Sequence, residues 1–146
     1  MVTDARGRGG RELDRVKPVF DDQRMVANAG VLLVATLVDR LGLEALIDEA
    51  VTLGERSAAT RPGAKVLSLV HAMLLGADSI DDCDLLRAGE TSRVLGHRVL
   101  TTSTLGTFLR AFTFGHVRQL DRVLGETLKR AWQSGAGPGA RMSRSP

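Results

Sequence analysis

A chain of 146 residues, 43% hydrophobic and with a formal net charge of +3, is long enough to close one core, and its single cysteine excludes an intramolecular disulfide. Four Phe, one Trp and no Tyr weigh against an aromatic platform for single-stranded nucleic acid and against a β-sandwich. Residues 1–84 carry 10 Lys/Arg against 14 Asp/Glu and residues 85–146 carry 10 against 3, so an acidic half is followed by a basic half suited to a polyanion.

Residues 1–15 are rich in Gly, Arg, Asp and Glu without periodicity and read as a disordered tail. The start has no apolar stretch of the kind a signal peptide needs. The longest apolar run, Val31–Ala35 extended by Leu37 and Val38, stops at Asp39-Arg40, well short of a membrane span. A soluble, cytoplasmic protein without a membrane partner is expected, in a reducing compartment.

From residue 16 to residue 133 the pattern is helical. Val31–Leu41 is apolar nearly all round and stops at Gly42, which predicts a central buried helix. Leu43, Leu46, Ile47, Ala50 and Val51 keep i, i+3, i+4, i+7, i+8 spacing, an amphipathic helix. Pro62 opens a third helix, with Val66, Leu67, Val70, Met73 and Leu74 inward and Gly76 at its end, as proline's fixed φ favours. Ser79 caps a fourth, Ser79–Ala88, with Asp82 as its capping-box partner and Gly89 as its stop. A turn over Glu90–Leu95 closes at Gly96. Thr102 or Ser103 then caps a helix Thr104–Phe114, whose inward side is Leu105, Phe108, Leu109 and Phe112. The last helix runs over about His116–Gln133, with Val117, Leu120, Leu124, Leu128 and Ala131 on one stripe. Residues 134–146 begin with Ser-Gly-Ala-Gly-Pro-Gly-Ala, a flexible linker by composition. No stretch reads as a strand. The expected fold is all-α: a compact bundle of about six or seven short helices with a helix-turn-helix-like portion and disordered tails.

Most chemistry-bearing residues have a structural explanation. Asp78, Asp81, Asp82 and Asp84 lack the alternation, the sixth-position Gly and the twelfth-position Glu of a calcium loop, and acids in a first helical turn suit the helix dipole. His71, His97 and His116 stand far apart in sequence with no Cys or carboxylate at ligand spacing beside them, so each is expected to be packed or solvated rather than a metal ligand. Cys83 falls beside Ile80 and Leu86 as a small buried hydrophobe. No serine-nucleophile elbow, phosphate-binding loop or dinucleotide fingerprint is present.

The basic half carries the functional reading. In the Thr104–Phe114 helix, Thr104, Thr107 and Arg110 lie opposite the apolar side, where hydroxyls and an Arg fork can reach phosphates or bases in a major groove. Ser103 marks a helix start that offers N–H groups to a phosphate. Arg93 and Arg98 precede it, and Arg118 and Arg122 follow, as backbone-holding cations. Helix Ser79–Ala88, the turn and helix Thr104–Phe114 compose a helix-turn-helix variant with a long connection. The same face also suits a solvated surface or a protein partner.

Val16-Lys-Pro-Val-Phe-Asp-Asp22, Ala64–Gly76, Ser79-Ile-Asp-Asp-Cys-Asp-Leu-Leu-Arg-Ala-Gly89 and Ser103-Thr-Leu-Gly-Thr-Phe-Leu-Arg110 together resemble the N-terminal region of bacterial insertion-sequence transposases of the DDE type, over roughly residues 16–135. The resemblance implies a helical region that grips transposon ends and helps pair subunits. It also implies a later RNase H-like domain, joined by a linker, whose carboxylates hold catalytic Mg²⁺. After Glu126 this chain has no acidic residue, so it is expected to be a fragment truncated before that domain. Such a fragment is not an enzyme alone, holds no cofactor, and binds the terminal inverted repeats of double-stranded DNA. The alternatives from the same residues are an oligomerisation or inhibitory module that associates with itself or with full-length transposase through the Val117–Ala131 stripe, and a free-standing helix-turn-helix-like regulator.

Overall fold

The computed structural model describes residues 28–54, 60–87 and 91–137. The expected tail at 1–15, the Gly89 stop and the chain from 138 onward lie outside the described residues. The fold is all-α, with no strand among the described residues.

Helix α1 (Val31–Leu41) runs into α2 (Leu43–Ala50) through Gly42 alone, whose φ of 62° is the left-handed conformation that ends α1. Only one side of α1 is buried: Val31, Ala35, Val38 and Leu41 face inward, whereas Leu33 and Leu37 are 61% and 52% exposed. The expected central helix does feed both apolar clusters, but among the described residues it is buried on one side only.

Helix α3 (Pro62–Leu74) starts at its proline, as the sequence predicts. Its cap comes from another element. Asp48 of α2 accepts a hydrogen bond from the Gly63 N–H at 2.7 Å, satisfying a donor that the first turn leaves unpaired. At that point the helices touch backbone to backbone, since a Cβ on Gly63 would sit 2.5 Å from the Glu44 carbonyl oxygen. The close approach turns Ala64, Lys65, Leu67, Ser68, His71 and Ala72 inward. Val70, Met73 and Leu74, expected inside, stay in water. The packed face mixes small residues with Leu67, Lys65 and His71.

The expected fourth α-helix is a 3-10 helix, Asp81–Arg87. Ile80, Cys83 and Leu86 are spaced by three, and a 3-10 turn has three residues, so all three fall on one line against the core. Of the predicted capping box only the returning half forms: the Asp82 carboxylate accepts from the Ser79 N–H (3.1 Å) and the Ser79 hydroxyl (2.8 Å). Those bonds, that of the Ser79 hydroxyl foremost, hold the Asp82 carboxyl below its usual range.

A single turn, α4 (Thr91–Val94), precedes Gly96, with φ of 80°. Helices α5 (Thr102–Arg110) and α6 (Phe114–Ala131) complete the set. A π turn over Trp132–Ala136 extends α6 into the expected linker, where the Ser134 hydroxyl donates to the Ala131 carbonyl at 2.7 Å.

Two apolar clusters result. One joins Val31, Ala35, Ala72, Cys83, Leu86, Leu95, Val99 and Leu105. The other joins Val38, Ile47, Val51, Leu67 and Val123. Helices α1 and α3 contribute to both, so they act as the shared beams. Among the described residues no helix is long and apolar enough to cross a membrane.

Candidate nucleic-acid interface

The expected helix Thr104–Phe114 begins and ends earlier in the structure. Thr101, not Thr102 or Ser103, is the N-cap: its backbone is extended and its hydroxyl accepts from the Thr104 N–H at 3.4 Å. The same hydroxyl lies 2.9 Å from that of Thr104 and 3.2 Å from that of Ser103, so the helix start is a cluster of hydroxyl groups. Leu105, Gly106 and Phe108 are buried, while Leu109, expected inside, is 40% exposed.

Along the exposed sector the predicted residues are linked in series. The Thr107 hydroxyl donates to the Ser103 carbonyl at 3.0 Å and accepts from Arg110 Nη2 at 3.2 Å. The guanidinium is thus steered along the helix rather than left to sample many rotamers. Thr104, Thr107 and Arg110 are all exposed.

Helix α5 stops at Arg110, and a three-residue corner, Ala111–Thr113, leads into α6. Phe112 fixes this corner: its ring meets Phe108 edge-on (centroids 4.9 Å apart) and His116 edge-on (5.7 Å). The Thr113 N–H donates to His116 Nδ1 at 2.9 Å, holding the start of α6. The tight helix connection therefore lies between α5 and α6. The expected pairing of residues 79–88 with α5 as a helix-turn-helix is corrected, because its first member is a 3-10 turn.

Beyond the corner, Arg118 stands over the Phe114 ring, 5.9 Å from its centroid. Arg118 and Arg122, with Gly115 and Asp121, line a shallow depression on α6. Arg93 lies on α4, which packs on the 3-10 helix, and Arg98 lies in the connection before α5, outside any helix. The structure thus joins Ser103, Thr104, Thr107 and Arg110 directly and puts Arg118 and Arg122 on the next helix, while Arg93 and Arg98 sit on separate segments. Arg130, another cation of the basic half, turns inward. Its Nη1 donates to the Leu41 carbonyl at 2.6 Å, tying α6 to the α1–α2 corner.

Two features were not visible in the sequence. Phe114, expected at the end of α5, is 78% exposed at the start of α6. His71 and His97 stack with centroids 5.1 Å apart and share a 3.0 Å hydrogen bond inside the fold. They lie 26 residues apart, so no local pattern could pair them. Among the described residues no three His, Cys, Asp or Glu side chains converge to hold a metal.

No known protein family, curated protein or solved structure matches the chain.

Proposed function

We propose that this chain is a double-stranded-DNA-binding helical domain of the kind that grips transposon ends in DDE transposases. In this reading α5 reads bases through Thr104, Thr107 and Arg110, and the start of α5 and the Arg118–Arg122 side of α6 hold phosphates, with Arg93 and Arg98 as outlying contacts. The observation that carries the reading is the exposed Thr104–Thr107–Arg110 sector, which has no carboxylate on its helix. A three-residue corner, held by the Phe112 ring contacts, joins this helix to α6, which carries Arg118 and Arg122. Helix termini and Arg position a protein on phosphates, while side chains that reach base edges specify sequence. The resemblance of the α5 segment to transposase N-terminal regions supports the choice of target.

A mobility-shift titration on terminal inverted repeats flanking the gene tests this, against a scrambled duplex and at two salt concentrations. Repeat DNA is expected to bind more tightly than the scrambled duplex, and binding should weaken steeply with salt. Arg110→Ala should cost about 1–3 kcal/mol on the repeat and narrow its advantage over scrambled DNA. Equal and salt-insensitive binding to both duplexes, or none to either, rejects the reading.

A further inference from the structure

Helix α6 exposes two different ridges. Its core side is Leu120, Val123 and Thr127. At 100° per residue, Arg118, Arg122 and Lys129 fall within about 40° of one another, whereas Phe114, Val117, Asp121, Leu124, Leu128 and Trp132 form a second band about 80° wide, its centre roughly 100° away. Apart from Asp121 this second band is apolar, and its five apolar members are each about half exposed or more, Leu124 at 66%. With Asp121 counted, the band from Phe114 to Leu128 is spaced 3-4-3-4, the seam of a two-helix coiled coil with a carboxylate at its middle position.

We propose that this band is the seam of an antiparallel pairing between two copies of the chain. Three observations favour a second copy. A 3.5-residue repeat fits another helix of the same period, and α6, at 18 residues, supplies one. The five exposed apolar side chains leave roughly 500 Å² of surface in water, taking about 150–250 Å² for a whole aromatic side chain. Burying this band on both copies reaches the roughly 1,000 Å² that a specific interface needs. Gly125, beside the band near its midpoint, has nothing within 4 Å of its Cβ position, so the fold of one copy gives no packing reason for it, while a bare backbone lets a second helix approach. The orientation follows from Asp121. A parallel, in-register pair sets Asp121 against Asp121 in a drying layer, and like charges so opposed repel. The antiparallel register that centres the two α6 helices, Phe114–Ala131, on each other puts Asp121 against Leu124, Val117 against Leu128 and Phe114 against Ala131 of the second copy. The cationic ridge stays outside the pairing on both copies.

Sedimentation velocity of the whole chain, at concentrations spanning about 1 to 100 μM, is expected to show a reversible dimer at the weak, micromolar end of the affinity range. Val117→Glu or Leu128→Lys alone should weaken it at least tenfold. The double variant should regain affinity, because the antiparallel register brings the new Glu of one copy to the new Lys of the other. Both positions are exposed, and unchanged circular dichroism and thermal midpoints establish that the variants fold. A wild-type chain that stays monomeric, single variants that dimerise as wild type, or a double variant no tighter than the singles overturns the proposal. Sedimentation is read without DNA, so failure of the pairing and failure of the DNA reading are told apart.

Discussion

Gly63 sits where α3 meets α2 with no room for a side chain. A methyl group on Gly63 would lie 2.5 Å from the Glu44 carbonyl oxygen, a backbone atom that cannot retreat without moving α2, and 3.0 Å from Asp48 Oδ1. Gly63→Ala is therefore expected to destabilise the protein by about 2–3 kcal/mol, the cost of overpacking a close helix crossing, read as a lower urea midpoint at unchanged slope. The buried histidine pair makes a second residue-scale prediction. His97 Nδ1 lies 3.3 Å from the Arg98 carbonyl, which makes it the donor and leaves Nε2 to accept from His71 Nδ1–H. The remaining His71 nitrogen, Nε2, is then a buried lone pair with no partner. Adding a proton there creates a charged N–H with nothing to bond. Burial, aided by the neighbouring His97, pushes His71 down to about 4, and burial lowers His97 too, against the pull of the Arg98 carbonyl, Glu44 and Asp39. The stability that His71 confers is complete above the ordinary histidine value of about 6.5. It falls as pH drops toward 4 because the unfolded chain takes the proton first, a loss of about 3 kcal/mol over the whole window. Between pH 7 and 5 urea titrations should show about 2 kcal/mol of this, and His71→Gln should flatten that slope; an equal slope in the variant would refute the account.

At the scale of elements, the cap of α5 separates neighbours that look alike in sequence. Thr101 accepts from the Thr104 N–H, whereas Ser103 is within the helix with its hydroxyl turned to Thr101. Thr101→Ala should cost about 1 kcal/mol in thermal or urea unfolding and Ser103→Ala close to nothing. In a run of four hydroxyl residues, Thr101 to Thr104, any member satisfies the cap rule, so composition located the helix start without fixing its residue. The same distinction governs what else was legible. Gly42 and Pro62 set helix boundaries correctly because their backbone preferences are intrinsic to the residue. The inward faces of α3 and α6 were misjudged because large apolar residues occupy two adjacent stripes on each, and periodicity reports a stripe without saying what covers it. On α6 the choice rests on residues far away in sequence. Thr52 and Gln119 exchange hydrogen bonds of 3.1 and 3.2 Å, and Arg130 reaches Leu41. These turn Val123 and Leu120 to the core and leave Val117, Leu124 and Leu128 outside. Of the candidate interface, the Thr104–Thr107–Arg110 sector was readable from helical spacing alone. The corner that joins it to α6 was not, because Thr113 takes His116 as its partner where a carboxylate or amide is the usual signal.

For the molecule as a whole, the excess of positive charge in residues 85–146 is not one surface. Arg130 is partly buried and bound to the Leu41 carbonyl and to Glu126 (Nε–Oε1 3.4 Å), so it serves the join between α6 and the α1–α2 corner, where it also caps carbonyls that end α1. Arg118 and Arg122 are exposed on the other side of the same helix. Replacing any one of the three by alanine changes the net charge equally, which makes them a controlled comparison. Arg130→Ala should lower stability by about 1–3 kcal/mol, the range for a hydrogen bond made by a charged group whose buried acceptor is then left unpaired. It should leave the salt dependence of DNA binding unchanged once the chain is folded. Arg118→Ala and Arg122→Ala should leave the urea midpoint unchanged but each reduce the slope of log K against log salt by about 0.9, because one phosphate fewer is neutralised in each variant. The reason is physical separation: an arginine whose donors are spent on backbone carbonyls releases no counterion from DNA, and an arginine in water contributes little to the fold. If all three variants change the slope equally, DNA responds only to total charge and the ridge on α6 has no special place in binding. If only the two exposed arginines do, the positive half of the sequence resolves into one cation that holds helices together and a pair that meets the polyanion.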